Sequence, residues 1–148
     1  MITQPAKQVA LSIKQPWAAL VLAGLKTIEI RRWPTARRGR ILIHAARVPD
    51  PREEGWRLLT PDWKPLGQLS GGIIGAVELT ACKHYTELDV FKAEQTAHRN
   101  EPSWFESKGL YGFVFTEPEI LAFRKYPGWF RFFSVDVAAD LQTLVATS

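Results

Sequence analysis

Residues 9–33, VALSIKQPWAALVLAGLKTIEIRRW, hold the reading that decides the fold. Val9 to Lys14 alternates apolar and polar positions like a strand. Pro16 stands where proline is tolerated at a helix start, an apolar run to Leu25 follows, and Gly24 falls where a left-handed C-cap closes a helix. Thr27 to Trp33 alternates again, with Ile28 and Ile30 on one face and Thr27, Glu29, Arg31 and Trp33 on the other, until Pro34 ends the ladder. The order is strand, short helix, strand, and the second strand has one apolar and one chemical side. Lys7 and Lys14 ahead of PWAALVLAGL superficially copy a signal peptide. The strand-like alternation before it, and an apolar run far short of the ~20 residues of a membrane span, make it a short buried helix instead.

Outward from this stretch, Arg40 to Ala46 is apolar on both faces and reads as an interior strand. Residues 51–60 read as a short helix interrupted by Gly55, and Pro61 to Ser70 as loop. Gly72 to Ala81 is a strand, and Thr86 is placed to cap a polar helix reaching about His98. Gly109 to Thr116 and Ile120 to Tyr126 read as strands. Tyr126-Pro127-Gly128-Trp129 reads as a type II turn before a last strand, Phe130 to Val137. The expectation is an α+β fold, a small mixed β-barrel with two or three short helices, in a single domain over residues 1–148. With 46% hydrophobic and 23% charged residues, the chain is a globular domain and neither tail nor linker. The single cysteine, Cys82, excludes an intrachain disulfide and fits a reducing cytoplasm.

The formal charge of +4 hides an asymmetry: residues 1–47 carry nine Lys/Arg and one acid, Glu29, whereas the rest of the chain is net negative. That points to an anionic partner at the N-terminal third. Glu29 and Arg31, two apart on a strand, share a face, and Lys26 sits where the helix gives way to that strand. A carboxylate between two cations either orients them for a phosphate or forms an ordinary solvated ion-pair face.

These residues resemble the signature of the ASCH domain family, grouped with the PUA-like folds: in GxKxxExR, every fixed position is present as Gly24, Lys26, Glu29 and Arg31. Leu11-Ser12-Ile13-Lys14-Gln15-Pro16-Trp17 is similar to the family's LSxxQPW opening. Trp33, Arg38-Gly39-Arg40 leading into Ile43-His44-Ala45, and Gly72 to Leu79 extend the likeness. The resemblance implies a PUA-like barrel with a cleft beside the first helix, binding RNA or a modified nucleotide. Its inner site would be Lys26, Glu29 and Arg31, its backbone contacts Arg32, Arg37, Arg38 and Arg40, and its stacking surface Trp33 or Trp17. Gln15, Trp17, His44 and Glu78 are further candidates for the cleft wall. Four to six neutralised phosphates would give a slope of log affinity against log salt of about −3 to −4.

A subgroup of the family removes acyl groups from acylated cytidine with a threonine nucleophile, a lysine and a glutamate. Here that threonine position is Glu29, so catalysis is left open and the balance leans to a binding module. Lys26 and Glu29 are the candidates if a nucleoside or RNA hydrolase, ribonuclease included, exists; Thr27, on the Glu29 face, is the substitute nucleophile, and Glu78 or Glu94 the acid. A third reading is a protein-interaction domain through the aromatic C-terminal strands, where Phe130 and Phe132 would share a face opposite Trp129 and Phe133. His44, His84, His98 and Cys82 form no pair at metal-ligand spacing, so neither metal nor cofactor is expected. No membrane partner is expected, and the oligomeric state stays open.

Overall fold

The computed structural model describes residues 7–136. Its centre is a six-stranded sheet in the order β2-β5-β4-β3-β1-β6. The strands are β1 (Lys7–Ile13), β2 (Ile28–Arg31), β3 (Gly39–Ala45), β4 (Gly72–Tyr85), β5 (Leu110–Lys125) and β6 (Phe132–Asp136). β1 and β3 run parallel, from Ala10 opposite Leu42 to Ile13 opposite Ala45, and the remaining pairings are antiparallel. Parallel neighbours need a long crossover; this one contains α1 (Trp17–Leu22) and carries β2 to the far edge of the sheet. The sheet curls until Trp33, just past β2, packs edge-on against Phe132 of β6 with ring centroids 5.5 Å apart. The result is a curled half-barrel of the expected α+β, PUA-like kind.

The six residues of α1 are apolar all round and all buried, as a helix inside a curled sheet must be. Leu11, Ile13, Ile41, Ile43, Ile74 and Phe113 surround it. Leu42, Ile73, Leu121 and Phe133 form a second cluster on the other side of the sheet, which is why β3 is apolar on both faces. Gly24 takes the left-handed φ of +75° expected of it, and the Leu25 N–H donates back to the Leu20 carbonyl at 3.0 Å. That reversal delivers Lys26 to the start of β2.

Elsewhere the elements differ from the sequence reading for identifiable reasons. The two strands read at 109–116 and 120–126 are one, β5. Glu117, at φ +52°, and Pro118 sit where the register jumps between Ala76↔Glu119 and Glu78↔Thr116, a bulge that accepts a proline without an N–H. The polar helix after Thr86 is two pieces, α4 (Leu88–Ala93) and α5 (Gln95–His98), and the N-cap of α4 is Glu87 with no side-chain cap. Residues 61–70 contain a 3-10 turn at Pro61–Trp63 and α3 (Lys64–Gly67). In α2 (Glu53–Leu58), Gly55 does not interrupt the helix. A Cβ there would lie 2.9 Å from both Pro16 Cγ and Trp17 Cζ2, so glycine lets α2 lie against the start of α1.

Tyr126 to Trp129 is irregular rather than a tight turn, and β6 starts at Phe132 rather than Phe130. The alternation expected from Trp129 to Phe133 therefore does not hold: the exposed pair is the adjacent Trp129 (68%) and Phe130 (95%), while Phe133 is buried. Val137 lies outside the described residues. No helix among the described residues is long and apolar enough to cross a membrane.

Candidate functional site

The start of β2 brings three charges together under cover. Lys26 is 1% exposed and Glu29 7%. Lys26 Nζ donates to the His98 carbonyl at 2.5 Å and lies 3.6 Å from Glu29 Oε1. Arg31 Nε donates to Glu29 Oε2 at 3.1 Å, and its Nη2 donates to the Ser12 carbonyl at 2.8 Å, tying β2 to β1. Burial pulls the Lys26 ammonium down to about 8 against the opposing pull of Glu29, and Arg31 and Arg99 lower it further. Two cations around one carboxylate leave an unbalanced positive charge at neutral pH.

This triad forms one side of a cleft of about 340 Å³, at the lower end of the range for small-molecule sites. Trp17 and Trp104 stand beside it, edge to face at 6.0 Å, and Lys26 Nζ lies 5.2 Å from the centre of the Trp17 ring. The Arg52 guanidinium sits 3.8 Å over the Trp104 ring, a cation–π stack. Asp50 fixes both walls: its carboxylate accepts from Trp17 Nε1 at 2.9 Å and Arg52 Nη2 at 2.8 Å, and its backbone carbonyl accepts from Trp56 Nε1 at 2.8 Å.

Burial alone would raise the Asp50 carboxyl, but the hydrogen bonds from Arg52 and Trp17 overcome it and hold the group at about 2. A depressed carboxylate contributes stability that is present above its unfolded value of 3.8 and is lost as pH falls through about 2. Asp50→Asn is therefore expected to flatten part of the acid limb. Between pH 4 and 2 its urea midpoint should fall less than that of the parent. Glu94 and Glu106, also held below the ordinary carboxylate range, lose their contribution in both proteins.

An outer groove of about 700 Å³ continues from the cleft, sharing Arg31, Arg52, Asn100 and Trp104 with it and adding Arg32, Trp33 and Arg131. Trp33 is packed edge-on against Phe113 at 5.0 Å and carries the Arg131 guanidinium at 5.0 Å. Arg32 is engaged by Glu106, with Nη2 2.7 Å from its carboxylate. The structure thus brings Lys26, Glu29, Arg31 and Trp17 into the cleft, and Arg32 and Trp33 into its continuation.

The other sequence candidates lie elsewhere. Arg37 is in an exposed loop with its guanidinium 5.3 Å over Phe132, and Arg38 donates to the carbonyls of Thr35 and Arg37. Arg40 stands at the opposite end of β3 from the cleft, paired with Glu119 at 2.6 Å. Gln15 is structural: its Oε1 accepts from the Ala19 N–H and its Nε2 donates to the Leu66 and Leu69 carbonyls, so it anchors α1 and α3. His44 is buried and lines a different depression, and Glu78 pairs across the sheet with Arg40 and Thr116 rather than lining the cleft. Thr27 is exposed outside the lining, and Glu94 is held by Lys83 at 2.8 Å and the Tyr85 hydroxyl at 2.5 Å.

Sequence reasoning missed Ser12, Asp50, Arg52, Asn100, Trp104 and Arg131. A tryptophan at the end of the polar run Asn100-Glu101-Pro102-Ser103 was the signal for Trp104. Among the described residues no group of three or more His, Cys, Asp and Glu is placed to hold a metal ion.

A small curled sheet around one buried helix, with a lysine–glutamate–arginine cluster facing an aromatic, basic cleft, defines a domain of the PUA-like type. Residues 11–138 match the ASCH domain, and the chain belongs to that family. Over 80 residues, 49% of this chain, it is 41% identical to Activating signal cointegrator 1 of Homo sapiens and 40% identical to that of Mus musculus. The match spans only 14% of the length of those relatives. A crystal structure of ASCH from Zymomonas mobilis has a TM-score of 0.64 at 12% identity, covering 94% of this chain and 93% of that one. A point mutant of the Zymomonas mobilis protein gives 0.64 at 14% identity, covering 96% of both chains. At such identities the likeness is one of fold.

Proposed function

We propose that the chain binds single-stranded RNA or a modified nucleotide, with one nucleotide seated in the cleft. The observation that carries this reading is the buried triad of Lys26, Glu29 and Arg31 beside the planar groups of Trp17, Trp104 and Arg52. Lys26 and Arg31 offer donors to a phosphate or a base carbonyl, and Glu29 accepts from a base amino or imino group. Trp104 and Arg52 supply flat surfaces on which an unpaired base stacks. The association of the ASCH family with RNA binding supports the assignment.

Arg32 and Arg40 face acid partners from the second half of the chain, which leaves fewer cations for phosphates than composition implied. With about three phosphates neutralised, log affinity for a short single strand is expected to fall against log salt with a slope of about −2, not −3 to −4. Fluorescence anisotropy of labelled oligonucleotides between low and physiological salt measures it. A flat response would remove the electrostatic reading of the cleft.

One observation favours a second reading, a hydrolase of nucleosides or RNA. An amine lowered to about 8 beside a carboxylate 3.6 Å away is suited to move a proton at neutral pH. Thr27, outside the cleft, does not replace the threonine nucleophile. Turnover of acylated cytidine or of an RNA substrate, lost in Lys26→Met, would establish this reading; no product across such a panel would dismiss it.

A further inference from the structure

On the other side of the β1 and β3 ends lies a larger, mainly apolar depression of about 1030 Å³. Ser12, Lys14 and Ala46 line both it and the nucleotide cleft, so the two meet over these residues. On this side Ser12 Oγ lies 2.9 Å from His44 Nδ1, and His44 Nε2 lies 2.6 Å from the Tyr126 carbonyl oxygen. A carbonyl only accepts, so Nε2 carries the ring proton, Nδ1 is bare in the neutral ring, and the serine hydroxyl donates to it. The parallel register that sets Ser12 opposite His44 builds the pair, and the turn from β5 toward β6 supplies the carbonyl that orients the ring.

We propose that Ser12 and His44 form a nucleophile–base pair for acyl transfer, oriented by the Tyr126 carbonyl and opening into the apolar depression. The arrangement meets the geometric requirement for an activated serine: a hydroxyl within hydrogen-bond reach of a base that a third group holds in the correct tautomer. His44 is buried, and burial keeps its imidazole neutral, the form that takes a proton. Gly128 passes close to the pair: a Cβ there would lie 3.2 Å from Ser12 Oγ and 2.8 Å from His44 Cε1, so any larger residue would press on both reacting side chains.

The lining chooses the substrate class. Phe123, Trp129 and Val48 offer an exposed apolar bed, and Lys14, Arg47 and Lys125 are the cations among the lining residues. That combination fits a carboxylic ester with an apolar acyl group and an anionic alcohol half. Ser12 Oγ attacks the ester carbonyl carbon while its proton passes to His44 Nδ1. The carbon–oxygen bond to the alcohol then breaks, and the departing alkoxide takes that proton from His44. Water, deprotonated by the same nitrogen, then attacks the acyl carbon; its bond to Ser12 Oγ breaks, Oγ takes the proton back from His44, and the carboxylic acid leaves.

The test uses p-nitrophenyl butyrate for turnover and a fluorophosphonate probe for covalent capture, with the modified peptide located by mass spectrometry. The expected result is hydrolysis above the buffer rate and a single adduct on Ser12. Ser12→Ala should lower turnover at least a hundredfold and abolish the adduct. Gly128→Ala, in exposed chain and with both reacting side chains retained, should lower turnover and labelling at least tenfold. The folded state of each variant is checked by circular dichroism and thermal melting. Absence of turnover and adduct in the folded parent overturns the proposal, as does labelling at another residue, or a Ser12→Ala protein that hydrolyses the ester at the parent rate.

Discussion

Replacing Glu29 with alanine is expected to lower the unfolding free energy by about 3–5 kcal/mol, among the largest effects of any single change near the cleft. The carboxylate is 7% exposed and, among the described residues, is the acid that both Lys26 and Arg31 contact. Without it, a lysine at 1% exposure keeps its desolvation cost and loses its counter-charge. The amine then sheds its proton more readily, because Glu29 is the group holding its pKa up against burial. Arg31, a fifth exposed, still reaches the Ser12 carbonyl but loses the carboxylate that fixes its guanidinium plane. Glu29→Gln should cost less, since the amide oxygen still accepts from Arg31. Urea denaturation of both variants at pH 7 measures the difference. A change below about 0.5 kcal/mol for Glu29→Ala would mean that the triad is a solvated face, the ordinary alternative for such a charge pattern.

That alternative could not be decided from the sequence, and the reason is physical. Strand–helix–strand order, the left-handed exit at Gly24 and the shared face of Glu29 and Arg31 are local properties, set by periodicity and backbone sterics within one turn or one strand. They were legible. What covers the triad comes from far along the chain: His98, whose carbonyl accepts from Lys26, and Trp104, Asp50 and Arg52, which build the walls. Those contacts depend on the parallel β1–β3 pairing and on the irregular segment after α5, and no local pattern announces either. The arginines mislead for the same reason. Arg32 and Arg40 read as free cations in a basic third of the chain, yet their partners Glu106 and Glu119 are 74 and 79 residues away. The charge asymmetry survives folding mainly around the cleft and its groove, at Lys26, Arg31, Arg52 and Arg131, of which only the first two were read from the sequence.

Lys26→Met is expected to separate function from stability. Methionine fills similar volume without a charge to desolvate, and Glu29 keeps Arg31, so the unfolding free energy at pH 7 should change by no more than about 1 kcal/mol. Nucleotide affinity should fall roughly tenfold to a hundredfold, the value of a hydrogen bond to a charged group that the ligand no longer receives. The pH dependence carries a second signature. Lys26 titrates at about 8 in the folded chain against 10.5 when unperturbed, so across that interval the unfolded chain binds a proton that the folded one has released. Stability from this group therefore rises as pH increases from about 8 toward 10.5. Tyr85 acts in the opposite sense and only later. Burial and Glu94 raise its phenol well above 10.0, so its contribution is lost as pH climbs past the unfolded value. Between pH 8 and 10 the rise belongs to the lysine, and Lys26→Met should abolish it. Denaturant midpoints across this window and titration calorimetry with short oligonucleotides measure both consequences. If the rise disappears while oligonucleotide affinity stays at the parent value, Lys26 is an ion buried for the fold alone, and the nucleotide must be sought outside the cleft.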